Sequence, residues 1–121
     1  MKHTLHVCVT CRRPDWAADR PRDGLTLYQM VEAAYRTWHR RNEVALKPVE
    51  CMSGCDRACT VGVSGEGKAS YLFCDKVPTQ ETAIAALQLA SQYLDSADGT
   101  LPRGERPLPF RGGILARIPT P

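Results

Sequence analysis

The sequence contains no apolar run approaching the ~20 residues that cross a bilayer as a helix. Its opening Met1-Lys2-His3-Thr4-Leu5-His6-Val7 lacks the long apolar stretch and small-residue cleavage site of a secretory leader. The expectation is therefore a cytoplasmic protein without a membrane partner. There is no excess of one charge either: the formal balance is +3, and aromatic residues make up only 7% of the chain. Arg12, Arg13, Arg20 and Arg22 crowd one segment, and Arg36, Arg40, Arg41 and Lys47 another. No basic–aromatic nucleic-acid signature accompanies them, so nucleic acid is disfavoured as a partner. Gly62, Gly65 and Gly67 fit hairpin turns and form no phosphate-binding loop. At 121 residues the chain suits one domain.

What is present is cysteine, six of them. A reducing compartment leaves such thiols unbridged, so they ask for a metal, a redox role or burial. Five fall into two tight groups. Cys8-Val9-Thr10-Cys11 forms a C-x2-C pair, and Cys51, Cys55 and Cys59 form a C-x3-C-x3-C triplet about 40 residues later. Zinc and iron–sulfur clusters require several thiolates around one centre, and short spacings aim two sulfurs at one point. Gly54 suits a loop that brings backbone amides close to sulfur. Cys74 stands alone after Tyr71-Leu72-Phe73 and reads as structural. His3, His6 and His39 read as a mobile start, the polar side of a strand and a helix end, none of them a ligand. Trp16 lies in the loop beside the cysteines, placed to shield them from water.

The apolar periods give an element order. Leu5, Val7 and Val9 alternate as a strand, and residues 12–24 are a loop marked by Pro14, Pro21 and Asp23-Gly24. Leu27, Met30, Val31, Ala34 and Trp38 mark one face of a helix that runs to Arg41-Asn42. Residues 44–49 are extended, with Pro48 pointing to an edge. Residues 60–63 and 69–74 form a hairpin. A second helix follows Pro78, with Thr79 as its N-cap and Ala83, Ile84, Leu87, Ala90 and Leu94 as its buried face. The last 26 residues hold five of nine prolines and four of nine glycines, a tail that either drapes over the domain or stays mobile. The expected fold is α/β, a thioredoxin-like (ferredoxin-like) β-α-β-β-β-α core at residues 1–95 with an irregular Pro/Gly-rich tail at 96–121. A right-handed β-α-β crossover makes the first two strands parallel, and their carboxyl ends bring both cysteine groups to one edge of the sheet.

Several enzymatic readings fail on the residues. A thioredoxin-type dithiol sits at a helix N-terminus, which activates its thiol, whereas a proline-containing loop follows Cys11. The radical-enzyme pattern C-x3-C-x2-C is not met, because the second gap here is three residues. A cysteine-protease nucleophile needs a partnered histidine in a larger scaffold. The chain is not expected to be an enzyme.

The strand into Cys8-Val9-Thr10-Cys11-Arg12, the segment from Val49 through Cys51, Cys55 and Cys59 to Val61, and the closing Ser96-Ala97-Asp98-Gly99 and Arg117-Ile118-Pro119 resemble a bacterial family of small proteins described as predicted metal-binding proteins. The resemblance covers nearly the whole chain and implies a thioredoxin-like, ferredoxin-like fold. It implies family cysteines at Cys8, Cys11, Cys51, Cys55 and Cys59, with Cys74 an addition, and cobalamin-related gene neighbourhoods. More distantly, the chain is similar to thioredoxin-like [2Fe–2S] ferredoxins and the small subunit of respiratory complex I. Their second pair, C-x3-C after the second strand, is similar to Cys51 and Cys55, and Cys59 falls where they often have proline. Their first pair is wider than Cys8 and Cys11. The expected function is a [2Fe–2S] one-electron carrier held by Cys8, Cys11, Cys51 and Cys55, with Cys59 in reserve, serving a redox partner protein. The alternative is a zinc or cobalt thiolate site in a structural or metal-handling protein.

Overall fold

A computed structural model of the chain describes residues 2–51 and 57–120. The elements are β1 (His3–Cys8), α1 (Asp23–Tyr35), β2 (Ala45–Val49), β3 (Val61–Gly65), β4 (Ser70–Phe73), α2 (Gln80–Asp95) and β5 (Ile114–Ile118). They build one five-stranded sheet in the order β2-β1-β3-β4-β5. β1 and β2 are parallel, with Cys8 opposite Val49, and the other pairings are antiparallel. Among the described residues no helix is long and apolar enough to cross a membrane.

Alternation decides which strand residues enter the core. Leu5 and Val7 of β1, Val61 and Val63 of β3, and Tyr71 and Phe73 of β4 are buried together against Leu27 and Val31 of α1. From α2 the same cluster takes Ala83, Ala86, Leu89, Ala90 and Tyr93. Burying each large apolar side chain contributes roughly 1.5–3 kcal/mol. Tyr93 is tolerated there because its hydroxyl donates to the Ala69 carbonyl at 2.6 Å. Pro48 lies in β2 at the sheet edge, where its missing N–H costs no ladder bond. The Thr79 side chain caps α2 by accepting from the Thr82 amide at 3.3 Å.

Four local expectations are corrected. His3 is the first residue of β1, lying edge-on to Tyr93 at 6.0 Å, and so is not a mobile start. Helix α1 stops at Tyr35, and Trp38 stands beyond it in the turns leading to β2, stacked obliquely on Tyr35. Ile84 is 51% exposed. The buried arc of α2 runs through Thr82, Ala83, Ala86, Ala90 and Tyr93, and at 100° per residue Ile84 falls beyond it. The tail is not irregular throughout, since β5 pairs with the outer edge of β4.

That tail is fastened at several points. The Leu101 amide donates to the Tyr71 hydroxyl at 3.0 Å. After two short 3₁₀ turns, Arg103–Glu105 and Leu108–Phe110, the Phe110 ring stands edge-on to Phe73 with centroids 5.2 Å apart. Lys76, only 5% exposed, donates to the carbonyls of Pro109 and Gly112 at 2.5 and 3.0 Å. Gly113 then turns the chain into β5 with φ +76°, and a Cβ there would lie 2.5 Å from the Cys74 carbonyl oxygen. Only glycine meets both conditions.

Candidate metal centre

Strand β1 ends at Cys8, and the chain turns at once. The Cys8 amide donates to the Thr60 carbonyl at 3.1 Å and the Val9 amide to the Val49 carbonyl at 2.8 Å, so the turn is held by β3's lead-in on one side and β2 on the other. Cys8 and Cys11 come together and are fully buried, with Ala58 packed against them. The Cys11 thiol hydrogen-bonds to Cys8, and with help from the Thr10 amide and hydroxyl it lowers the Cys8 pKa to about 5, against the opposing effect of burial. These hydrogen bonds favour the thiolate form of Cys8. The Thr10 hydroxyl stands 3.7 Å from the Cys8 sulfur and lies against the Glu50 carbonyl. The Thr60 hydroxyl lies 3.8 Å from the Cys11 sulfur.

A residue that the sequence reading treated only as part of a loop closes this turn from behind. Gly24, at the start of α1, donates its amide to the Cys11 carbonyl at 2.9 Å. A Cβ there would lie 2.2 Å from the Cys8 carbonyl oxygen. The loop after Cys11 was expected to keep a helix N-terminus away from the dithiol; it returns instead, and the N-terminus of α1 abuts the Cys8–Cys11 turn. Buried Asp23 fixes that return by accepting the Arg13 amide at 2.7 Å.

The second cysteine group divides. Cys51 is exposed and directly follows Glu50, whose carbonyl oxygen is 3.9 Å from the Cys8 sulfur. Cys55 lies outside the described residues. From residue 57 onward the chain is pinned by Arg57, which forms an ion pair with Asp75 at 2.6 Å, and by reciprocal backbone hydrogen bonds between Cys59 and Lys76 at 3.0 and 3.1 Å. Cys59 shares its parity with Val61 and Val63 and belongs to the main core, not to the Cys8–Cys11 cluster. Burial first, then the Asp23 carboxylate, pushes its thiol up to about 12, so it remains protonated. Among the described residues no three His, Cys, Asp or Glu side chains are gathered for a metal ion.

The remaining candidates have other partners. The buried Cys74 thiol donates to the Gly113 carbonyl at 3.2 Å, which fastens the tail. His6 Nε2 is 2.8 Å from the Ser64 hydroxyl. Trp16 donates its indole N–H to the Pro21 carbonyl at 2.9 Å and lines an open cleft with Thr10, Arg12, Arg13 and Arg22.

Fold and site together define a thioredoxin-like protein, its sheet ending in a buried C-x2-C pair. The chain belongs to the family described as "Protein of unknown function (DUF1636)", which matches residues 5–120. Among solved structures it is similar to a thioredoxin-like [2Fe–2S] ferredoxin from Aquifex aeolicus, at 16% identity and a TM-score of 0.57. That similarity covers 96% of this chain and 92% of the other, and it establishes the fold. Comparison with curated proteins gives no match.

Proposed function

We propose that the protein is a ferredoxin-like one-electron carrier whose [2Fe–2S] cluster is held by Cys8 and Cys11 together with Cys51 and Cys55, Cys59 being the reserve ligand. The observation that carries this reading is the buried Cys8–Cys11 pair at the end of β1. The donor set fits the group: iron–sulfur clusters take thiolate ligands, and the strand paired with β1 leads directly into Cys51. The likeness to a protein described as a [2Fe–2S] ferredoxin supports it further.

When bound, such a cluster supplies one-electron redox chemistry, and the protein tunes its potential through hydrogen bonds to sulfur and through burial. The chain's own residues prepare the site. The hydrogen bonds that lower the Cys8 pKa ease its ionisation, which favours metal uptake there. Cys59 would have to lose a strongly held proton, which ranks it behind the others. Thr10 and Thr60 bring hydroxyls close to the two sulfurs, and Gly24 leaves room for the turn that holds them. The protein would act in the cytoplasm by passing electrons to a larger redox protein, with no catalysis of its own. Anaerobic purification, an absorption spectrum, and metal and sulfide analysis test this. A brown protein with two irons and two sulfides per chain is expected. A colourless protein with one zinc and no acid-labile sulfide refutes it and favours the zinc or cobalt thiolate reading.

A further inference from the structure

The loop between Cys11 and α1 carries a concentration of positive charge beside the thiols. Arg12, Arg13 and Arg22 line a cleft of about 680 Å³ together with Thr10, Pro14, Trp16 and Ala18. The Arg12 and Arg22 guanidiniums both lie against the Trp16 ring, 5.3 and 5.6 Å from its centroid. Among the described residues none of these three arginines has a carboxylate within ion-pair distance, whereas Arg20, Arg36 and Arg57 each have one and Arg40 has two. The nearest buried carboxylate, Asp23, is occupied by the Arg13 amide and Arg20. Arg22 donates to the Thr10 carbonyl at 3.0 Å, and the Thr10 hydroxyl is 3.7 Å from the Cys8 sulfur. The wall of the cleft is thus one side chain away from the proposed ligand.

We infer that this cleft is the docking face for the acidic surface of a redox partner protein, so that carboxylates paired with Arg12, Arg13 and Arg22 seat the partner beside Cys8. This rests on the electron-carrier reading and names the partner chemistry that reading leaves open. Complementary charge of this kind raises association rates and fixes register. Held against an indole, guanidiniums lose little further freedom when they engage carboxylates in bidentate fashion. An extended nucleic-acid backbone is the weaker match, because the charge converges on one cleft and the net balance is only +3.

The test uses the purified full-length chain, assayed in parallel for iron and sulfide, with a deca-glutamate peptide as the probe. At low salt the peptide should move the Trp16 indole N–H resonance and leave that of Trp38 in place. The movement should vanish at high salt, where screening shortens to a few ångströms. Arg12→Gln should weaken binding about fivefold, and R12Q/R22Q by an order of magnitude or more, as for losing one and two rim charges. Arg12 contributes only its contact with Trp16, so the single variant remains informative even if the double variant misfolds. The inference is overturned by a silent Trp16, by unchanged binding in the folded Arg12 variant, by inorganic phosphate matching the peptide's affinity, or by a ten-residue thymidylate strand binding more tightly. Iron present with Trp16 silent removes the docking face alone. Trp16 responding in an iron-free protein removes the carrier reading alone and leaves an acidic-protein docking site.

Discussion

Gly24→Ala is the sharpest probe of how the fold builds the cysteine turn. The new Cβ would sit 2.2 Å from the Cys8 carbonyl oxygen and 3.1 Å from the Cys11 amide nitrogen. Ordinary contact distances demand a retreat of about 1 Å. Both neighbours are backbone, so no side chain can swing aside. Overpacking of this kind costs about 1–3 kcal/mol. Weakening the 2.9 Å Gly24–Cys11 hydrogen bond adds about 1 kcal/mol, and the better helix propensity of alanine returns up to about 1 kcal/mol. The net is a loss of about 2 kcal/mol, which for a domain of this size lowers Tm by about 8 °C. The displacement also separates Cys8 from the donors that hold its proton off. In metal-free protein the thiolate ultraviolet absorbance of Cys8 should then titrate well above the native midpoint of about 5. Gly104→Ala is the control, since a Cβ there meets nothing within 4 Å; it should stay within about 0.5 kcal/mol of the parent. A Gly24→Ala protein with parental Tm and an unshifted Cys8 titration would refute the argument.

Other expectations follow from the same contacts. Cys8→Ser and Cys11→Ser should each abolish cofactor retention measured by iron and sulfide content. Cys74→Ser should keep it, because that thiol serves the tail through Gly113. Phe110→Ala removes a fully buried ring stacked edge-on to Phe73, and denaturant unfolding should show a loss of about 3–5 kcal/mol; a loss under 1 kcal/mol would mean the tail is not part of the cooperative unit. The thiols also set a pH profile for the metal-free protein. Cys8, depressed to about 5 when folded, gives stability that is complete above the ordinary thiol range and lost as pH falls through about 5. Cys59, raised to about 12, works the other way, and its contribution is lost as pH climbs from the ordinary thiol range toward about 12. Urea midpoints should therefore rise from pH 5 toward 8 and fall beyond about 9, and Cys59→Ala should flatten the alkaline fall.

The parts of the fold that were legible in the sequence are those where local chemistry and tertiary need coincide. The period-2 pattern at Leu5 and Val7, the proline of β2 and the Thr79 cap each state a requirement that the sheet or helix also imposes. Strand β5 was hidden for the opposite reason. Ile114-Leu115-Ala116-Arg117-Ile118 has no alternation, and its neighbourhood is rich in proline and glycine. It becomes a strand because β4 offers an unpaired edge and Phe110 and Lys76 bring the chain there. Trp38 fits the α1 period yet lies past its end, since Tyr35 turns its hydroxyl onto the Arg41 and Val44 carbonyls and anchors the turns that follow.

The site divides along the same line. Cys8 and Cys11 could be read as a pair because a two-residue gap confines them to one turn, whatever surrounds it. The described ends of the triplet differ in setting, Cys51 being exposed after β2 and Cys59 buried ahead of β3. Val61 and Val63 face the core, and counting back two residues along an extended chain puts Cys59 on that same side. The available signal was thus the strand parity, which opposes the grouping suggested by spacing. Parity also places Cys8 apart from Leu5 and Val7, so Cys8 falls in a different buried cluster from Cys59 although their residues are neighbours. The low pKa of one and the high pKa of the other follow from those different surroundings. One sulfur meets hydrogen-bond donors at the strand end, while the other meets hydrocarbon with a carboxylate behind it. Gly24 could be recognised only from the fold, since its requirement is a carbonyl 16 positions earlier in the chain. A ligand set chosen by spacing alone would rank the five clustered cysteines equally. Burial in the main core and a raised thiol pKa set Cys59 apart from Cys8, whose thiolate form is favoured by hydrogen bonds.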